Sequence, residues 1–344
     1  MRARDAALTA MTDPITCGAT ILGCLGPEIT PSEAAFFREA DPFGFILFAR
    51  NVETPDQLRR LTASLRDTVG RDAPVLVDQE GGRVQRLRAP HWREFLPPLD
   101  QMAATGDSDR AVWLRYRLIA DELRAVGIDA NCAPCADVAG PDTHPFLRNR
   151  CFGQDAATVA RAARAAADAM LAGGVLPVSK HLPGHGRATV DSHLSLPRVT
   201  ASHAELSATD FAAVRAIADL PMAMTAHIVF EAIDPARPAT ASPEMIRVIR
   251  DEIGCEGLLM TDDLSMEALA GDFATRAATA RAAGCDIVLH GNGKPEEMEP
   301  VVAHAGRLSG AASGRAARAL AARRTPEPID IEALDREFSA LLQG

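Results

Sequence analysis

The stretch VLPVSKH, residues 175–181, decides the fold, because it is a short apolar run that ends in charged side chains. An alanine-rich segment, 155–172, precedes it and stops at Gly173 and Gly174, a usual way for a helix to end. An apolar run of this length directly after a helix is typical of a strand buried in a parallel sheet.

Seven similar runs predict seven more strands. The segments between them carry helix-start signals, such as Thr54-Pro55 and Ser242-Pro243, each followed by apolar residues at helical spacing. Eight apolar strands separated by helices predict an α/β fold, a single (β/α)8 TIM-type barrel. A doubly wound sheet is the alternative, although no G-x-G-x-x-G follows the first run. The seven runs are ATILGCLG (19–26), GFILF (44–48), PVLVD (74–78), IDANCAPCAD (128–137), MAMTAH (222–227), GLLMTDD (257–263) and CDIVLH (285–290).

The two ends of the chain lie outside this pattern. We predict a disordered tail over residues 1–12, a catalytic barrel over 13–324, and a C-terminal helix over 325–344 that packs on the barrel. The last segment follows TPEP and places Leu334, Phe338 and Leu341 on one helical face. No second domain is expected, so the barrel alone must contain the functional site.

Composition excludes several classes of protein. The formal net charge is −10, whereas a nucleic acid or an anionic membrane surface requires a basic partner. No apolar stretch approaches the roughly 18 residues of a membrane span, and the amino-terminal apolar patch is too short for a secretory signal. The seven cysteines sit mostly among apolar residues, as buried thiols do in a reducing compartment. We therefore expect a cytoplasmic protein, and a monomer, without nucleic-acid or membrane partners.

The carboxyl ends of the runs concentrate ionisable side chains. Barrel enzymes keep their active sites at this end of the strands, and charges clustered there without a function would cost stability. The pattern therefore predicts an enzyme. The side chains in question are Asp78, Asp137, Lys180, His181, His227, Asp262, Asp263 and His290.

One loop gathers much of the reactive chemistry. The segment KHLPGHGRATVDSH, 180–193, contains three histidines and one of only two lysines in the chain, and its proline and glycines exclude a regular helix. Asp191 and His193 are one residue apart, so the carboxylate could orient the imidazole and stabilise its charged form. The alternative is that Asp191 caps the loop and His193 is exposed to solvent.

Metal chemistry is not expected. Asp262 could in principle bind a metal, orient a ligand or attack a carbon centre. His181 and His185 are four residues apart, but the intervening Pro-Gly prevents the helical H-E-x-x-H geometry. Cys132 and Cys135 form a C-x-x-C without a second pair, which favours core packing. We predict neither a metal nor a cofactor.

Longer motifs identify a family. Taken in order, they resemble glycoside hydrolase family 3, and specifically its single-domain bacterial beta-N-acetylhexosaminidases. The resemblance covers roughly residues 17–323. The motifs are ILFARN (46–51), VDQEGGRVQRL (77–87), NCAPCADV (131–138), NRCFG (149–153), KHLPGHG with DSH (180–193), TAHIVF (225–230) and TDDLSM (261–266).

The resemblance implies a role for each matching residue. Asp262 would be the nucleophile that forms a glycosyl-enzyme with retention of configuration. His193 would be the general acid and then the base, with Asp191 orienting it. The residues that would grip the terminal sugar are Asp78, Arg86, Arg150, Lys180 and His181.

The substrate implied by the family is a small sugar. Aromatic residues are only 4% of the chain, which favours a pocket for one terminal sugar over a long stacking cleft. The resemblance implies an exo-acting enzyme that releases beta-linked N-acetylglucosamine from cell-wall muropeptide fragments. Two alternatives remain: a phosphorylase, because an imidazole acid need not repel phosphate as a carboxylate would, and a non-catalytic sugar-binding barrel.

Overall fold

Eight parallel strands close into a barrel in the computed structural model, which describes residues 14–192 and 195–343. The predicted barrel is thereby confirmed, and the order around it is β1-β12-β11-β9-β7-β6-β3-β2. The predicted tail, 1–12, lies outside the described residues. The barrel strands are β1 (Gly18–Gly23), β2 (Pro42–Leu47), β3 (Val75–Val77), β6 (Ala130–Asn131), β7 (Leu176–Leu182), β9 (Met222–Thr225), β11 (Leu258–Asp263) and β12 (Ile287–His290).

Each of the eight apolar runs overlaps one barrel strand, although the bounds differ by a few residues. The run 128–137 forms a strand only at β6, because Pro134 has no N–H to donate to a ladder. Single backbone contacts continue the pairing there, since Ala136 N donates to the carbonyl of Lys180 at 2.6 Å. In the described ranges, four short strands lie outside the barrel: β4 (Gln79–Gly81), β5 (Val84–Gln85), β8 (Arg198–Val199) and β10 (Val229–Phe230).

Helices begin at both predicted start signals. The Thr54 hydroxyl accepts from Gln57 N at 3.2 Å, and the Ser242 hydroxyl accepts from Met245 N at 3.1 Å. The alanine-rich helix ends at Gly173 as expected. The helices are α1 (Pro31–Ala40), α2 (Pro55–Val69), α3 (Pro98–Ala104), α4 (Asp109–Ala125), α5 (Pro145–Arg148), α6 (Ala156–Ala172), α7 (His203–Ala208), α8 (Asp210–Arg215), α9 (Pro243–Arg247), α10 (Phe273–Ala283), α11 (Pro295–Ala305), α12 (Gly310–Ala321) and α13 (Ile331–Gln343).

The core has two layers that follow from the alternation of side chains along each strand. One set points into the barrel and fills it, for example Ile21, Leu76 and Met260. The other set, which includes Leu22, Val75 and Leu259, packs outward against the helices. A filled interior leaves the carboxyl ends of the strands as the place for a cavity.

The chain ends in α13, which lies against α4 and α3. Leu334 and Phe338 are buried, and the Phe338 ring lies 6.0 Å from that of Phe95. The division into tail, barrel and C-terminal helix at residues 12 and 324 stays a prediction.

Two further observations concern the predicted cellular setting. In the described part of the chain, no helix combines the length and the hydrophobicity needed to cross a bilayer. All seven cysteines are buried and free.

Candidate active site

A cavity of about 370 Å³ opens at the carboxyl ends of the strands. It brings together residues that are far apart in the sequence, from Ile46 to Leu289. Six of the eight predicted site residues line it: Asp78, Arg86, Arg150, Lys180, His181 and Asp262. The other lining side chains include Phe48 and Phe146, Asp263 at the end of β11, and Ser265, Met266 and Glu267 in the loop that follows.

Asp78 is held between two cations. Its carboxylate accepts from Lys180 Nζ at 2.8 Å and from Arg86 Nη2 at 3.2 Å. Burial alone would raise the pKa of Asp78, but Lys180 and Arg86 outweigh burial and keep that pKa well below its usual range. Burial would likewise lower the pKa of Lys180, yet Asp78 and Glu80 raise it above its usual value. Both groups are therefore charged at neutral pH.

Glu80 joins Lys180 to Arg150 behind the cavity. Its Oε1 forms an ion pair with Lys180 Nζ at 2.5 Å, and its two oxygens accept from Arg150 Nη2 and Nε at 2.8 and 2.9 Å. Burial opposes ionisation, but Arg150 and Lys180 lower the pKa of Glu80 to about 2. The forked contact fixes the plane of the guanidinium, which also lies 3.3 Å from His181 Nε2.

Asp137 fixes the ring of His181. Its Oδ2 accepts from His181 Nδ1 at 2.7 Å, and Nε2 of the same ring lies 3.3 Å from Arg150 Nη2. The same carboxylate accepts from the Cys135 thiol at 3.1 Å and from His185 N at 2.6 Å. Burial would raise the pKa of Asp137, but His181 and these donors lower it.

Asp262 lies at the end of β11 and faces the cavity. Burial would raise its pKa, but the imidazoles of His227 and His181, the N–H of Asp263 and the ammonium of Lys180 lower it below its ordinary value. The carboxylate is therefore ionised at neutral pH and available as a nucleophile. Its neighbour Asp263 also lines the cavity, but its Oδ1 accepts from Ser265 N and Gly291 N at 2.9 and 3.2 Å.

The predicted Asp-His pair is only partly described. The loop leaves β7 after Leu182, and Asp191 is half-buried and does not line the cavity. His193 lies outside the described residues. The pairing of Asp191 with His193 therefore stays a prediction.

His185 lies behind the cavity beside His181. The two rings are 5.3 Å apart in an edge-to-face arrangement, and the ring nitrogens of His185 have no hydrogen-bond partner within residues 14–192 and 195–343. Burial and the nearby His181 lower the pKa of His185 to about 3, so its ring is neutral.

Among the described residues, one group of side chains has ligand atoms close enough for a metal ion. These atoms, from Cys135, Asp137 and His181, lie within 4.8 Å of one another. The thiol and the imidazole both donate to the Asp137 carboxylate, which accounts for these distances. Contact with Cys151 and burial raise the pKa of Cys135, and a neutral thiol is a poor metal ligand.

Two buried carboxylates of the site were not assigned from sequence. Glu80 received no role, although it is two residues from Asp78, and residues two apart on an extended segment point to the same side. Asp137 was identified as a strand-end charge without a function. Both lie behind the residues that line the cavity. A sequence motif does not show whether a residue lines a cavity or is buried behind its wall.

Known proteins similar to this chain identify its family. The model of the glycosyl hydrolase family 3 N terminal domain matches residues 33–319. A beta-hexosaminidase of Alkalilimnicola ehrlichii is 38% identical over 297 residues, which are 83% of this chain and 84% of that protein. Native NagZ from Neisseria gonorrhoeae superposes with a TM-score of 0.81 at 30% identity, covering 96% of this chain and 97% of that one.

Two further structures bear on the sugar. The same Neisseria gonorrhoeae NagZ has been solved in complex with N-trifluoroacetyl-D-glucosamine. A family 3 beta-N-acetylglucosaminidase from Paenibacillus sp. gives a TM-score of 0.83 at 28% identity, covering 94% of this chain and 66% of that one. The resemblance found in the motifs is confirmed: this chain belongs to glycosyl hydrolase family 3.

Proposed function

We propose that this protein is a retaining beta-N-acetylhexosaminidase that releases a terminal beta-linked N-acetylglucosamine. The observation that carries the proposal is the position of Asp262, an ionised carboxylate in a cavity lined by Asp78, Arg86, Arg150 and Lys180. The relatives support the sugar, because they include beta-hexosaminidases and a NagZ bound to an N-acylated glucosamine.

The reaction has two steps. An oxygen of Asp262 attacks the anomeric carbon and forms a glycosyl ester, while His193 gives its proton to the departing glycosidic oxygen. His193 then takes a proton from water, whose oxygen attacks the same carbon and releases Asp262. Asp191 orients His193 and stabilises its charged form. Two inversions at one carbon give net retention.

The remaining cavity residues bind the sugar. Asp78 offers acceptor oxygens to hydroxyl groups, and Arg86, Arg150 and Lys180 offer charged donors. His181 presents Nε2 towards the same space, held there by Asp137. These are the groups that a single polar sugar residue requires.

An exo mode of action fits the aromatic side chains. Phe48 and Phe146 are the aromatic residues lining the cavity in the described part of the chain. Arginines lie near both rings, since the guanidinium of Arg50 is 5.0 Å from the Phe48 centroid and that of Arg83 is 3.9 Å from the Phe146 centroid. Neither ring offers a free platform for a row of stacked sugars, so one terminal residue is the expected occupant.

The cellular assignment rests on the family and on charge. We propose a muropeptide fragment of the cell wall as substrate, and a monomeric enzyme acting in the cytoplasm. The net charge of −10 supports the absence of nucleic-acid and anionic-membrane partners.

The test is hydrolysis of a series of aryl beta-glycosides, with the product followed by nuclear magnetic resonance. We expect N-acetylglucosamine to be the preferred sugar and the beta anomer to form first. Activity should persist in EDTA and should not depend on phosphate. Formation of the alpha anomer first would contradict the retaining mechanism, and formation of sugar-1-phosphate would replace hydrolysis by phosphorolysis.

A further inference from the structure

Glu80 is a buried carboxylate that does not line the cavity but contacts two cations that do. It is 0% exposed, and it lies on the short strand β4, after Asp78. Lys180 and Arg150, its two partners, both line the cavity. A buried carboxylate is costly unless it is paired, and here the pairing joins two separate parts of the barrel.

The contacts leave defined donors for a ligand. Lys180 Nζ has three N–H groups; one donates to Asp78 at 2.8 Å, and the ammonium forms an ion pair with Glu80 at 2.5 Å. Arg150 uses Nε and Nη2 on Glu80, at 2.9 and 2.8 Å. Within the residues described here, Arg150 Nη1 makes no hydrogen bond. One N–H of Lys180 and the Nη1 group of Arg150 therefore remain for a sugar.

The backbone of Glu80 is held just as firmly. Arg115, a fully buried side chain of α4, donates from Nη2 to the Glu80 carbonyl and from Nη1 to Gln101 Oε1 at 2.6 Å. Gly81 follows with φ +100, and a Cβ there would collide with the Arg115 guanidinium. The carboxylate thus extends from a fixed backbone to both cations.

An amide could not replace this carboxylate. A glutamine at position 80 would have one oxygen for two cations and would turn an NH2 group towards donors. Lys180 and Arg150 would also lose the anion that offsets their mutual repulsion. Their side chains would move apart, and their free N–H groups would move with them.

We propose that Glu80 is a positioning residue, which sets the directions of Lys180 and Arg150 towards the sugar without touching it. The proposal rests on the proposed function, in which these two cations bind the terminal sugar. It assigns Glu80 to substrate binding through its partners, beyond the residues that contact the sugar.

The experiment compares Glu80→Gln and Glu80→Asp with the wild type. The control is Glu94→Gln, which changes an exposed carboxylate paired with Arg88. We expect Glu80→Gln to raise KM and the inhibition constant of free N-acetylglucosamine together, on the order of tenfold to a hundredfold. Glu80→Asp keeps the charge but is shorter, so its effect should be intermediate, and the control should be unchanged.

A pH profile separates positioning from a purely structural role. Without Glu80, the charge of Lys180 acts more strongly on Asp262, so the acid limb of kcat/KM should move to lower pH. Loss of stability alone would lower the fraction of active enzyme. It would leave KM, the inhibition constant and the pH of the acid limb of kcat/KM unchanged. A folded Glu80→Gln variant with wild-type values of all three would overturn the proposal.

Two other outcomes are decisive. If Glu80→Gln does not fold, Glu80→Asp carries the test, and failure of both to fold would overturn the proposal in favour of a structural role. An inactive wild type would refute the proposed function instead. In that case the binding of N-acetylglucosamine to wild type and variant, measured by calorimetry, decides the inference about Glu80: weaker binding to the variant supports it, and equal binding overturns it.

Discussion

Asp262 and Asp263 are neighbours in sequence, yet their carboxylates have different tasks in the structure. Asp263 Oδ1 accepts from two backbone N–H groups, whereas Asp262 Oδ1 accepts only from Asp263 N, at 2.8 Å, within the described residues. We predict that Asp262→Ala loses several orders of magnitude in kcat on an activated aryl glycoside while the melting temperature stays near that of the wild type. Near-normal turnover of Asp262→Ala, together with an inactive but folded Asp263→Ala, would contradict this assignment.

Substitutions of His193 and His185 should differ in how their effect on activity depends on the leaving group. A dinitrophenol leaves without a proton, whereas the sugar of a disaccharide needs one. We predict that His193→Ala loses far more kcat/KM on a disaccharide than on a dinitrophenyl glycoside, provided that the first step limits both. Asp191→Ala should show a weaker version of the same selectivity.

The matched control for that experiment is His185→Ala. Burial and the nearby His181 lower the pKa of His185 to about 3, so the ring cannot supply a proton near neutral pH. Its removal should affect both substrates equally. Equal losses for His193→Ala would show that His193 binds sugar and that the acid lies elsewhere.

The cavity residues could be predicted because family motifs name the groups that meet the ligand. Asp78, Lys180 and Asp262 each follow an apolar run, so their place at the barrel mouth follows from the pattern. Glu80 and Asp137 could not be assigned in the same way. Their importance depends on which cation or imidazole lies behind the cavity wall, and this is known only when strands far apart in sequence are side by side.

The loop after β7 shows why its glycines are needed. Gly184 has φ +138, which is unfavourable for other residues, and a Cβ on Gly186 would lie 1.9 Å from the carbonyl oxygen of Val138. The chain can therefore pass closely by Val138, in the segment that follows β6, only with these residues. The sequence predicted an irregular loop there, but not this close backbone approach.

Helix α13 should contribute stability and not catalysis. Phe338 is 6% exposed and packs on Phe95, and neither residue lines the cavity. We predict that Phe338→Ala lowers the free energy of unfolding by about 3 kcal/mol, because a large buried ring is lost. Phe338→Leu, the matched control, should cost about 1 kcal/mol.

Denaturant titration measures the free energy of unfolding of both variants. Steady-state kinetics checks that catalysis is unaffected. The kcat/KM of each folded variant should stay within about twofold of the wild type. A large fall in kcat/KM with little change in stability would place α13 in the functional machinery instead.

The sequence pattern predicted the presence of each barrel strand better than it predicted the length of that strand. All eight apolar runs overlap a strand, since buried parallel strands need continuous apolar sequence. The run 128–137 nevertheless forms only two strand residues at β6. Proline and the turn towards the cavity end the ladder there, and an apolar pattern does not register either effect.

Across the whole protein, the buried carboxylates couple stability to pH. In the folded state the pKa values of Asp78, Glu80 and Asp137 lie below their ordinary values because of the cations and donors around them. A carboxyl group whose pKa is lowered by folding stabilises the fold above its unfolded pKa. That contribution is lost as the pH falls through the folded value.

We therefore predict that the free energy of unfolding decreases steeply as the pH falls from 4.5, the ordinary pKa of a glutamate, towards the folded value of Glu80 at about 2. Glu80→Gln removes one of the titrating groups, so its unfolding free energy should change less over this range, although it should be lower at neutral pH. In the control Glu94→Gln, which changes an exposed residue, the free energy of unfolding should depend on pH with the same slope as in the wild type. Urea titrations at several pH values measure these slopes. A wild-type slope in Glu80→Gln would mean that Glu80 does not ionise differently in the folded and unfolded chains, and that the pairing with Lys180 and Arg150 does not lower its pKa.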